Sequence, residues 1–356
     1  MTHPNHESQT MNPQDFIQAH THAIMLRGGL LSPDNAAVHP EALALARSSE
    51  SLIPVLGSFC ANKELFNRSA SARARGPSAG FGTTDFGNAL ASIMRIAVHR
   101  QLEASMDHAR ICGVVNLPNF MPHKVGAAQI DTTLLPANEL GEFQDATFDD
   151  AAGLNAQIKT HGRNIHISRR LLLTDDIDLI VNTIAGFGAS AARLEAKIVY
   201  ELLKSNPTMA DGGPMFGTAY GNVLSLAFDE FRLSQTMGML RDRRDDPAAG
   251  GEPQNIAAAV LLVSNPLELL AKKIVHLSGL NLEVIAAPWI TSGNWYLFPD
   301  PALVPVIGLL RLAGSKAPVL VEAKRDELAR DGTLLAVRVD VGAVPLSRTA
   351  IMGITP

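Results

Sequence analysis

A serine between glycines is the first residue to weigh as a nucleophile. Gly76-Pro77-Ser78-Ala79-Gly80 has the GxSxG spacing, in which a sharp strand-to-helix turn lifts the hydroxyl out for attack. That elbow needs a buried strand before it. Here the Arg/Ala/Ser run around Arg73 and Arg75 leads in, so the string reads as linker. His161 and His166 are the most tempting metal pair. Five apart on an extended chain they point to opposite faces, and ordinary strand histidines are the expected reading. His20 and His22 fall on different sides of a helix and read as surface histidines. Asp149-Asp150 and Asp245-Asp246 sit in turn-like surroundings with no positioned partner, so they read as solvated loop carboxylates.

Other chemistries are excluded more directly. There is no GxxxxGK[ST] phosphate loop, no GxGxxG after a strand and no HExxH helix. Cys60 and Cys112, the only cysteines, lack the spacing of a zinc-thiolate site and imply a disulfide-free chain in a reducing compartment. Trp289 and Trp295 flank a short polar turn, expected to be a hairpin with its aromatics packed beneath it. No catalytic, cofactor-binding or metal-ligating residue is assigned, and the chain is not expected to be an enzyme.

Composition narrows the class. Hydrophobic residues make up 46% and charged residues 18%, apolar enough to fold and too poor in charge for disorder. The net charge of −5 and the absence of a basic face argue against a nucleic-acid reader. The polar start, Thr2 to Gln14, has no signal pattern, and no apolar run approaches the roughly 20 residues that cross a bilayer. A soluble cytoplasmic product is expected.

The elements then follow from periodicity. Phe16, Ile17, Ile24 and Met25 mark a helix ending at Gly28-Gly29, and Pro40 to Arg47 opens another. Phe86, Leu90, Ile93, Met94, Ala97 and Leu102 keep a helical period after a cap at Thr84 or Asp85. From Phe120 to Ser168 turn formers alternate with extended pieces, including Leu154 to Thr160 and Ile165 to Ile167. The segment reads as a long, mostly two-stranded hairpin, marginal in water on its own. Either it folds back onto its own domain or another subunit supports it. Thr174 starts the strongest helix, which Asn206-Pro207 stops, with Gly186 and Gly188 leaving room for a bend or a close neighbour. A Gly/Pro-rich loop follows. Strands are expected over Ala257–Ser264, Leu282–Ala287, Trp295–Phe298, Val319–Ala323 and Leu334–Val341, with a helix over Pro266–Leu277.

Several of these stretches, in order and spacing, resemble the Mu-like major head subunit family and the capsid half of fused prohead protease–major capsid proteins. Thr83-Thr84-Asp85-Phe86 is similar to that family's T-S-D-F start, and Gly162 to Arg169 to its strand before the long helix. Thr174-Asp175-Asp176, Ala192 to Glu195 and Val199 to Leu203 resemble the helix start and body. Asn206 to Gly212 with Gly221-Asn222 resembles the loop, and Trp295 to Pro301 the W-Y-L-F-A-D-P strand. Where the family often has F-H-A-D-H-G-N, Phe216 to Asn222 has lost both histidines, and residues 1–80 match poorly.

The resemblance implies an α+β chain of the Hong Kong 97-type capsid fold. Residues 1–119 would be an N-terminal arm and helical segment, and 120–168 an extended β-hairpin loop laid over a neighbour. Residues 169–221 and 314–356 would form a peripheral domain with spine helix 174–205, and 222–313 an axial α/β domain. The implied function is a major capsid protein that self-assembles, as pentamers and hexamers, into an icosahedral-type shell around the double-stranded DNA of a tailed phage or phage-like particle. The DNA would be enclosed without sequence-specific binding and without membrane contact. The resemblance also implies a portal, a scaffold or separate maturation protease, and decoration proteins as partners, with assembly in the host cytoplasm and residence in the virion. Lys124 and Lys159 lie where some relatives carry a crosslinking lysine, without an identified partner. The alternatives are an encapsulin-like shell around protein cargo and a cytoplasmic α/β enzyme.

Overall fold

A computed structural model of the chain describes residues 13–27, 29–35, 38–47, 83–126, 153–168, 177–225, 227–244, 253–314, 319–324 and 332–355. The chain divides into two compact units, and helix α4 and strands β4 and β11, defined below, contribute residues to both.

The first unit takes Met1–Ser105, His161–Ala191 and Val319–Val339. Helices α1 (Pro13–Arg27) and α2 (Ala42–Arg47) are joined by Arg27, whose guanidinium donates to the carbonyls of Leu45 at 3.2 Å and Ala46 at 3.1 Å. Those two carbonyls lie in the last turn of α2, where no helical N–H is left to bond them. Helix α3 (Thr83–Glu103) buries Ile93, Met94, Ala97, Val98 and Leu102, most of the apolar series that the period marked. Strand β10 (Val319–Lys324) pairs antiparallel with the first part of β11 (Gly332–Pro345), and Arg95 of α3 donates to the Val321 carbonyl at 3.3 Å. Strand β4 (Lys159–Ser168) also pairs with β11, and the close fit needs Gly162, where a Cβ would come within 2.8 Å of the Val337 carbonyl oxygen.

The second unit takes Met106–Thr160, Ala192–Pro318 and Asp340–Pro356. Strand β1 (Cys112–Leu117) runs parallel to β9 (Ile307–Leu312), which pairs antiparallel with the end of β11. Strands β2 (His123–Val125) and β3 (Leu154–Ala156) form a separate antiparallel pair of three residues each. Ala156 at its end and Ile158 just beyond it are buried against Leu117, Leu310 and Val344. Gly342 lets the chain lie that close, since a Cβ there would meet the Gln157 carbonyl oxygen at 2.6 Å. The base of the expected hairpin therefore rests on its own sheet. Residues 127–152 lie outside the described residues.

A second sheet has the order β5-β12-β8-β6-β7. Its members are β5 (Val223–Ser225), β6 (Ala258–Ser264), β7 (Glu283–Ala287), β8 (Asn294–Pro299) and β12 (Ile351–Ile354). Between β6 and β7 runs helix α6 (Glu268–Leu277), entered through a 3-10 turn at Asn265–Leu267, and the two strands are parallel as a helical crossover requires. Helix α5 (Glu230–Arg241) starts at Asp229, whose side chain accepts from the Arg232 amide. Leu233, Leu240, Leu261, Val263, Ala271, Val275, Trp295 and Leu297 fill the core between the helices and the sheet. The hairpin expected at Trp289–Trp295 is not there: β7 and β8 are separated by β6, and the turn between them crosses that strand's end. Central β6 is apolar on both faces and so outcompetes a local pairing. Segment 314–356 is shared, with 319–339 in the first unit and 340–356 in the second, where β12 pairs with β5 and β8.

Helix α4 (Ile177–Ser205) has 29 residues and a length of roughly 43 Å. The expected start at Thr174 to Asp176 lies outside the described residues.

Candidate functional site

Two side-chain networks flank the end of α4. The first fixes the loop that follows it. Asn206 stops the helix with φ 47°, a left-handed conformation that asparagine tolerates better than most residues. Its Oδ1 accepts from the Phe216 amide at 2.7 Å and its Nδ2 donates to the Phe216 carbonyl at 2.9 Å. Asn222, fully buried, closes the far end: Oδ1 accepts from the Gly217 amide at 2.9 Å, and Nδ2 donates to the carbonyls of Met215 and Arg348 at 2.8 and 3.2 Å. Each asparagine imitates a stretch of backbone and ties the loop as a strand partner would.

Arg348 reaches in from the chain's last segment. Its two terminal nitrogens donate to Asp211 at 2.6 and 2.5 Å, Nε donates to the Pro214 carbonyl at 2.9 Å, and the guanidinium lies 4.0 Å from the Tyr220 ring centroid. The hydrogen bonds from Arg348 hold the Asp211 carboxyl below the usual carboxylate range. A planar fork satisfies these partners together, and a lysine cannot. Arg348→Ala is expected to cost about 1–2 kcal/mol, limited by the half-exposure of Asp211. Arg348→Lys should recover less than half of that. Denaturant unfolding, with protease susceptibility at 206–222, checks both.

The second network is buried in the second unit. Glu195 of α4 has no exposed surface, and both of its oxygens are taken. Arg311 of β9 donates to Oε1 at 2.5 Å and to Oε2 at 2.8 Å, while His108 Nε2, fully buried in the 3-10 turn Asp107–Ile111, lies 3.1 Å from Oε2. Burial pushes the Glu195 carboxyl up, but the hydrogen bonds and charges of His108 and Arg311 outweigh it, and the group titrates below its ordinary range. The neighbouring Cys112 thiol is pushed up to about 12 by burial, with the Glu195 charge adding to the effect. A carboxylate with no exposed surface and both oxygens bonded within the chain is out of reach of a substrate proton, and such a buried thiol is inert. The arrangement joins a helix, a strand and a turn. It is a lock.

The residues singled out from sequence stay apart. His161 is half-buried and His166 exposed on β4, and among the described residues no three potential ligands gather around a metal position. His20 corrects the surface reading: it is 3% exposed, stacked on Phe16 at 3.9 Å, because α1 buries that face. His22 accepts from the His39 amide at 2.9 Å. Trp289 stacks on Tyr200 at 5.8 Å, and Trp295 is fully buried against Phe228. Lys124 and Lys159 are exposed. Ser78, Cys60, Asp149, Asp150, Asp245 and Asp246 lie outside the described residues. Reading for motifs missed the locking trio. The signal was there in Glu195, one helical repeat from Ala191 and Val199 on the buried stripe.

Comparison with known proteins gives one match over most of this region. The family model described as phage capsid protein matches residues 151–352, which include α4, its loop and both networks apart from His108. No curated protein matches by sequence. Among solved structures, a chain of Mycobacterium phage Patience is 15% identical with a TM-score of 0.44, over 76% of this chain and 88% of that one. A virus-like particle from Pyrococcus furiosus is 13% identical with a TM-score of 0.43, over 73% and 97%. The holo-SrpI encapsulin complex from Synechococcus elongatus is 9% identical with a TM-score of 0.44, over 69% and 86%.

Proposed function

The chain belongs to the phage capsid protein family, and from that premise we propose that it is the major head protein of a tailed phage or phage-like particle, closing into a shell around double-stranded DNA. The observation that carries the reading is the family match itself, which spans 151–352 and with it the long helix, the pinned loop and all of the β5-β12-β8-β6-β7 sheet but the end of β12. Both side-chain networks suit a part that bears load. They tie distant segments of one chain together.

Within the shell the subunit has the Hong Kong 97-type arrangement and is kin to the Mu-like head proteins. The helix over 174–205 is its spine, residues 222–313 form the axial domain around the symmetry centres, and the loop within 120–168 supplies the extension over a neighbour, apart from β4, which pairs with β11 of its own chain. The base of that extension is anchored in its own unit by Ala156 and Ile158. Portal, scaffold or maturation protease, and decoration proteins are the further partners. A net charge of −5 suits a wall that must not adhere to packed DNA.

Electron microscopy of the chain expressed with its genomic neighbours tests this. Closed shells or rings that protect DNA from nuclease are expected. Shells that enclose protein and exclude DNA would move the reading to an encapsulin-like compartment, and a uniform 38.0 kDa monomer would overturn it. Deleting residues 122–153, which leaves Ala156 and Ile158 in place, should keep the subunit folded and abolish shells. Loss of the folded subunit would contradict the role given to the extension.

A further inference from the structure

Helix α6 is apolar on two faces, one packed on its own core through Ala271, Ile274 and Val275 and one turned outward. Ala271 and Val275 face inward and are buried, while Leu269 and Leu277 point outward at 81% and 71% exposure, with Leu270 also exposed. A helix covering a core normally turns its largest apolar side chains inward. Phe231 of α5 is also 69% exposed, and the two helices are tied near it: Ser278 at the end of α6 donates to Glu230 at the start of α5 at 3.0 Å, next in sequence to Leu277 and Phe231. The charge on this helix is basic. Lys272 is paired with Glu268 at 2.5 Å, whereas Lys273 has no ion-pair partner among the described residues.

A second exposed patch in the same compact unit has the opposite charge. In the turn after β8, Leu303 stands 77% exposed beside Asp300, whose carboxylate accepts from the Ala302 amide at 2.9 Å and faces no cation among the described residues. We infer that the α6–Phe231 face receives the Asp300–Leu303 turn of a second copy of this chain, with Lys273 meeting Asp300. A ring of more than two identical subunits requires two different patches that complement each other, and one self-matching patch cannot close it. This rests on the shell reading only for the identity of the partner.

The test is a charge exchange read by sedimentation and electron microscopy on the full chain with its genomic neighbours. Lys273→Glu and Asp300→Lys should each lower the assembled fraction by about tenfold or more. The two substitutions together should restore it, and Leu277→Asp should abolish assembly. Denaturant unfolding establishes that each variant is folded; Lys273 and Leu277 lie on an exposed helix face where folding does not depend on them. Single variants that assemble like the parent chain, or a double variant that stays as impaired as the singles, would overturn the inference while leaving the shell reading intact. A parent chain that never assembles would overturn both.

Discussion

Glu195→Ala is expected to destabilise the subunit by about 3–5 kcal/mol, the usual cost of removing one member of a buried charged network. The substitution leaves Arg311, 14% exposed, without its counter-charge, and removes the one hydrogen-bond partner that the fully buried His108 Nε2 has among the described residues. Glu195→Gln keeps the shape and loses the charge, so it should recover part of the loss. The pH dependence separates the charge from the packing. The folded carboxyl titrates below its ordinary value of 4.5, so its contribution is fully present above the unfolded value and is lost as pH falls through the folded one. Unfolding free energies of parent and Glu195→Ala should therefore differ most near neutral pH and converge on acidification. A difference that stays constant down to pH 3 would show that the carboxylate is not held as an ion.

That lock bears on how much of the molecule its sequence discloses. Helix α4 was legible because one residue type at a fixed period is a local signal, and Asn206-Pro207 is a local stop. Strands β6, β7, β8, β10 and β11 were legible for the same reason. Missed were β1, β5, β9, β12 and α5. Strands β5 and β12 have three and four residues, and β1 finds its partner β9 nearly two hundred residues away, so nothing near them in sequence announces the pairing. Helix α5 carries Gly238 and mixes polar with apolar residues on every side. The mistaken hairpin has the same origin. Two apolar runs joined by a short turn look like neighbours, and only the competing claim of β6 for both of them decides otherwise.

The site divides along the same line. Asn206 and Asn222 stood in stretches that already resembled a family, because a loop held by its own side chains must keep its residues close in sequence. The Arg348 clamp joins residues 137 apart and the Glu195 lock residues 116 and 87 apart, so neither forms a motif. A glutamate on the buried stripe of a helix nevertheless predicts that some cation must come to meet it. What the sequence withholds is which one.

Gly188 and Gly186 make the last case, since their sequence reading, a bend or a close neighbour, resolves into opposite outcomes two residues apart. A Cβ at Gly188 would lie 2.1 Å from the Val98 carbonyl oxygen and 3.0 Å from the Leu102 amide nitrogen, so α3 and α4 touch there backbone to backbone. Nothing lies within 4 Å of a Cβ at Gly186. Gly188→Ala is therefore expected to cost about 3 kcal/mol, the upper range for overpacking, because rigid backbone and no movable side chain stands in the way. Gly186→Ala should instead stabilise by up to about 1 kcal/mol through helix propensity. Urea unfolding at unchanged slope reads both, and a Gly188→Ala variant within about 0.5 kcal/mol of the parent would mean the helices are not in contact. Glu195 stands two turns further along the same helix, roughly 10 Å away. If contact and lock act independently, their losses should add to within about 0.5 kcal/mol. A larger interaction would mean that the rod transmits strain from one to the other, which is the property a load-bearing helix would need.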